Sequence, residues 1–189
     1  MMNTKKISVI DIGIGNIGSI INMLKVLGVS SELVSSDKEL DNAKKIILPG
    51  VGSFDEGMKK INESGIRESL NEKVKKQNTP ILGICLGMQL MCNGSEEGKL
   101  PGLSFIDGYC ENLSKVNSSR ISIPHMQWNQ VKVNKENILF KGLKDKNKFY
   151  FTHSYALRCN NSDDILGFTK HGNEFVSAVS NENIYGVQF

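Results

Sequence analysis

Short apolar runs alternating with helix-period stretches outline the first half of the chain. Lys6-Ile7-Ser8-Val9-Ile10, Glu32-Leu33-Val34, Lys45-Ile46-Ile47-Leu48 and Ile81-Leu82-Gly83-Ile84 each read as a buried strand, short and bounded by Gly, Pro or polar turns. Helical patterns lie between them: one through Ile21, Leu24 and Leu27, one over 55–61, a polar one over 66–76, and one opening directly after Cys85. Strand and helix in this order predict a parallel sheet with helices on both faces, whose functional edge is the carboxyl end of the strands. After Met91 the pattern shifts to short strands at 103–105, 109–113, 131–133, 149–151, 174–179 and 184–189. These are expected to extend the sheet and to pack on it as an antiparallel layer. The segment 123–129, which holds the single tryptophan, reads as a structured loop, either bordering a site or partner surface or anchoring the core. No linker or repeat marks a second domain, so residues 1–189 are expected to form one.

Composition narrows the class without naming it. A hydrophobic content of 39%, a charged content of 23% and a net charge of +3 are ordinary for a globular protein and too mild to imply nucleic acid. No apolar stretch reaches the length of a membrane span and no apolar segment follows the first lysines, so a cytoplasmic protein is expected. Cys85, Cys92, Cys110 and Cys159 show no C-x-x-C spacing, which points away from a metal site and from a disulfide framework. Cys92 reads as core, and the basic run 141–148 as a solvated turn.

Four segments carry candidate chemistry. Gly83-Ile84-Cys85-Leu86-Gly87 sits between a strand and a helix pattern, the arrangement of a nucleophile elbow. There Cys85 would lie over the positive end of a helix, which favours the thiolate; a buried cysteine in a Gly-containing turn fits the same letters. Pro49-Gly50-Val51-Gly52-Ser53-Phe54 is a Gly-rich loop before a helix, a natural place for backbone N–H groups to meet an anion. Gly13, Gly15 and Gly18 satisfy G-x-G-x-x-G, but Asp11 would crowd a pyrophosphate and no acidic residue ends the second strand, so a tight strand-to-helix turn is expected. His153, at the end of a strand, reads either as a base for Cys85 or as a structural histidine. His171, beside Gly172 in a polar turn, is expected to be exposed.

Taken with Pro124-His125-Met126, Trp128-Asn129 and His153-Ser154-Tyr155, these segments resemble class I (triad) glutamine amidotransferases. The resemblance is closest to the glutaminase subunits of imidazole glycerol phosphate synthase, in histidine biosynthesis. It implies a flavodoxin-like three-layer fold with a mostly parallel central sheet and added antiparallel strands. It implies that Cys85 attacks the side-chain amide of L-glutamine and that Leu86 with Val51 or Gly52 supplies the oxyanion-hole N–H groups. By the same resemblance Gln89, His153, Ser154 and Tyr155 bind substrate. Ammonia would pass to a (β/α)₈ barrel cyclase or synthase subunit of the HisF type, with no metal or cofactor. The family motif runs Gly-Val-Gln-Phe-His-Pro-Glu, and this chain stops at Phe189, so the triad His and Glu are expected past it; a catalytically silent interaction subunit is the alternative of another class. Ile12 replaces a frequent Tyr and Gln127 a common Gly, which leaves open a sugar-amidating partner in surface-polysaccharide synthesis.

Overall fold

The computed structural model describes residues 6–116, 121–143 and 147–189. Its first half runs β1 (Ile7–Ile10), α1 (Ile17–Val26), β2 (Ser31–Val34), α2 (Asp37–Leu40), β3 (Ile46–Gly50), α3 (Phe54–Glu63), α4 (Ile66–Asn71), β4 (Ile81–Cys85) and α5 (Leu86–Leu90). The second half adds β5 (Gly94–Ser95), β6 (Gly108–Asn112), α6 (Leu113–Val116), β7 (His125–Gln130), β8 (Lys132–Val133) and β9 (Lys148–His153). The chain then continues through β10 (Tyr155–Cys159), β11 (Ile165–His171), β12 (Asn173–Asn181) and β13 (Ile184–Val187). The large sheet has the order β2-β1-β3-β4-β13-β12-β10-β6-β5, with β11 and β8 branching from β12. Strands β2 to β13 of that order are parallel, and β12, β10 and β6 continue it antiparallel. This is the α/β architecture with antiparallel additions that the pattern predicts.

Adjacent residues of one strand feed different layers, as the two-residue strand period requires. Ile10, Ile46 and Leu48 face a core built with Phe54, Met58, Ile61, Ile66, Leu70 and Leu86, whereas Val9 and Ile47 pack with Leu24 of α1 on the opposite face. Leu82 and Ile84 continue that second face into a cluster with Phe151, Phe175 and Val187. Helices α3 to α5 thus cover one side of the sheet; α1 and a separate β7–β9 ribbon cover the other.

Several segments differ from the sequence reading. Leu103-Ser104-Phe105 is not a strand: its N–H groups donate to the carbonyls of Leu90, Cys92 and Met91, closing the end of α5, with Ser104 at φ 53°. The 123–129 loop is largely strand β7, paired residue for residue with β9 from His125↔His153 to Gln130↔Lys148. Strand β11 has no counterpart in the sequence reading, and His171 at its end is half-buried rather than exposed, stacked on His125 with ring centroids 4.2 Å apart. The π-helical turn Glu72–Lys76 follows α4 directly, so the helical stretch 66–76 changes its hydrogen-bond spacing midway. Residues 1–5, and 144–146 of the basic run, lie outside the described residues. Among the described residues no helix is long and apolar enough to cross a membrane.

Candidate active site

Cys85 ends β4 and precedes α5 with φ 55° and ψ −115°. A non-glycine residue with positive φ costs on the order of 1–3 kcal/mol and persists where the surroundings enforce it. Here they do. Gly50 of β3 lies opposite Cys85 in the parallel register, and the two strands meet at glycine: a Cβ on Gly87 would fall 1.8 Å from the Leu48 carbonyl oxygen, and one on Gly50 2.7 Å from Gly87 N. On the sheet below, Gly83 and Gly186 leave room for Met88, whose backbone N would lie 2.8 Å from a Cβ at Gly83. The elbow is therefore clamped between β3 and the sheet, with Cys85 at the carboxyl edge.

Burial raises the Cys85 thiol pKa above its ordinary value, while hydrogen bonds from the Leu86 N–H and the Gln188 side chain pull the other way. The expectation of a thiolate favoured by a helix dipole is corrected on this point. Helix α5 has only five residues, too short for a strong macrodipole, and burial is the largest influence on the thiol.

The loop 49–53 leaves β3 beside Cys85, with Val51 exposed and Gly52 at φ 113°. Gln89 is buried, and its Nε2 donates to the Tyr155 carbonyl at 3.2 Å and to Gln188 Oε1 at 2.9 Å. Gln188 Nε2 in turn lies 3.6 Å from Cys85 Sγ. Ser154 and Tyr155 are partly buried at the start of β10. His153 is buried and not directed at the sulfur: its Nδ1 lies 2.7 Å from the Tyr155 carbonyl and its Nε2 3.0 Å from His125 Nδ1. Gln188 is the site residue that sequence reasoning passed over, although Gly186-Val187-Gln188-Phe189 stood in the motif. The G-x-G-x-x-G stretch is a turn whose Gly13 N–H donates to Asp11, with Gly15 packed on Pro49. Among the described residues no group of three or more His, Cys, Asp or Glu side chains is arranged to hold a metal ion.

A strained cysteine elbow at the carboxyl edge of a parallel sheet, walled by a Gly-rich loop, belongs to a known class. The family model for "Glutamine amidotransferase class-I" matches residues 8–189, and the chain belongs to that family. The solved structure of PurLQS from Thermotoga maritima shares the fold at a TM-score of 0.70 and 20% identity, over 96% of this chain and 85% of that one. Within the class the chain falls among the HisH group. It is 48% identical over 183 residues to imidazole glycerol phosphate synthase subunit HisH 2 of Methanococcus maripaludis, covering 97% of this chain and 90% of the relative. The HisH subunit of Bdellovibrio bacteriovorus is 45% identical, with the same coverage of each chain.

Proposed function

We propose that this chain is a glutaminase subunit, a single amidotransferase domain that releases ammonia for a (β/α)₈ barrel cyclase of histidine biosynthesis. The observation that carries the reading is Cys85 held at φ 55° against Gly50 and Gly87, the geometry of a nucleophile presented on a strained turn. Cys85 Sγ attacks the side-chain carbonyl carbon of L-glutamine; the C–N bond breaks and ammonia leaves with the proton taken from the thiol. Water then hydrolyses the thioester, giving glutamate and restoring the thiol. The N–H of Leu86 and one from Val51 or Gly52 stabilise the oxyanion, each such donor contributing about 2.7–4 kcal/mol. Gln89, Ser154 and Tyr155 line the substrate side.

The base is not drawn from the described histidines, since both ring nitrogens of His153 are engaged elsewhere and His171 Nε2 lies 2.7 Å from the Ser122 carbonyl. Strand β13 runs parallel to β4 with Val187 opposite Ile84, so Gln188 stands level with Cys85. A histidine following Phe189, as in the family's His-Pro-Glu, would enter beside the sulfur. The relatives' names as synthase subunits support a partner, and so does the face of the β7–β9 ribbon. Met126, Trp128 and Tyr150 are 57%, 65% and 48% exposed there, a concentration of large apolar side chains that water does not favour.

The test is ammonia release from glutamine by a chain carrying His-Pro-Glu after Phe189, assayed with the barrel partner. Cys85→Ala should lower the rate by about 10³-fold or more. Ammonia release that survives this substitution overturns the reading.

A further inference from the structure

The three histidines of the chain gather in one place, and two of them form part of a hydrogen-bonded line that ends at Cys85. The polarity of each link follows from the carbonyl at its middle. The Tyr155 carbonyl can only accept, so His153 Nδ1, 2.7 Å away, carries a proton. In a neutral ring His153 Nε2 then accepts, and His125 Nδ1 at 3.0 Å donates to it. That leaves His125 Nε2 as an acceptor, reached by Asn129 Nδ2 at 3.3 Å and Gln127 Nε2 at 3.4 Å. On the other side, the Tyr155 carbonyl also accepts from Gln89 Nε2, which is shared with Gln188 Oε1, and Gln188 Nε2 points at Cys85 Sγ. Every donor meets an acceptor along the whole length.

The two ends of this line differ in character. Gln127 and Asn129 lie on the His125 side of β7, the face opposite Met126 and Trp128, whereas Gln188 Nε2 lies 3.6 Å from Cys85 Sγ. The middle is rigid. His125 is fully buried, stacked on Phe151 at 4.9 Å and on His171 at 4.2 Å, and edge-on to Phe175 at 5.5 Å. Burial also keeps His125 and His153 neutral at pH 7, the state that the donor pattern requires, by pulling both down to about 4.

We propose that His125 is a positioning residue: through His153 and the Tyr155 carbonyl it sets the orientation of Gln89 and Gln188 against Cys85. The catalytic part rests on the glutaminase reading of Cys85, but the link itself does not. His153, with both nitrogens occupied, then supports the substrate side through the Tyr155 carbonyl rather than by contact.

The experiment is alkylation of the free chain by iodoacetamide at pH 8, with each cysteine followed by peptide mass spectrometry. His125→Phe keeps the ring stacking and removes the hydrogen bonds at both ring nitrogens. His125→Asn places an amide N–H where Nδ1 stood and restores the inner link. Cys85 should alkylate about threefold slower or more in His125→Phe, as expected for one weakened hydrogen bond to the thiolate, and near the wild-type rate in His125→Asn. Buried Cys92 and Cys110 should stay protected in both. An unchanged Cys85 rate in His125→Phe overturns the link, as does an equal loss in both variants or a loss shared by every cysteine. In the glutamine assay, kcat should fall in His125→Phe with KM unchanged. Absence of glutamine hydrolysis by the chain carrying His-Pro-Glu after Phe189, assayed with the barrel partner, would end the glutaminase reading, while the alkylation rates would still decide the link.

Discussion

Cys85 and Gly87 hold opposite sides of one constraint. Cys85 takes a backbone conformation that its side chain disfavours, because β3 and α5 close on it, and Gly87 is what lets them close. Gly87→Ala would drive a methyl into the Leu48 carbonyl, a backbone atom that cannot swing aside. Urea unfolding should show a loss of about 3 kcal/mol or more, in the range of severe core overpacking. At this scale the sequence was legible where chemistry is local: Gly83, Cys85 and Gly87 announce the turn by spacing alone. Gln188 was not, because its contact with Cys85 spans 103 positions and exists only once β13 lies beside β4. The thiol's raised pKa was illegible for the same reason, since burial comes from the packed chain.

Among the elements, the β7–β9 ribbon departs most from the local pattern. Residues 123–129 lack a clear strand alternation because most side chains of β7 face solvent, and the segment becomes a strand through its six pairs with β9. Leu103-Ser104-Phe105 errs in the other direction: three residues of apolar character read as a strand, while their N–H groups are spent on the end of α5. The ribbon also carries a pH response. His125 and His153 are lowered from 6.5 to about 4, chiefly by burial, so between these values the unfolded chain binds protons that the folded one refuses. Stability is therefore full above about pH 6.5 and falls as pH drops towards 4. The thermal midpoint, followed by circular dichroism, should drop by about 5 °C or more from pH 7 to pH 5, and less steeply in His125→Phe. The Asp55 carboxylate, held low by the backbone N–H groups of Leu100 and Lys99, adds stability above its ordinary value of 3.8 and loses it only below, outside that window.

Across the whole molecule the sheet connects what the chain separates. β4 supplies Cys85, β3 the loop beside it, β13 the amide that lies against its sulfur, and the ribbon on the opposite face from α3 to α5 carries the exposed apolar residues. If that face receives the barrel partner, Trp128→Asp should weaken association about tenfold or more in titration calorimetry while leaving the thermal midpoint unchanged, since Trp128 is 65% exposed and contributes little to the core. The sequence by itself determined the alternation of strands and helices, the elbow around Cys85 and the family that both belong to. These depend on residue spacing within a turn or an element, which the chain carries wherever it goes. The tertiary structure alone decided the sheet order, the strand character of β7, the clustering of His125, His153 and His171, and the line of hydrogen bonds reaching Cys85. Those contacts join positions far apart in the chain, and their free energy is gained only when long-range pairing and burial bring them together.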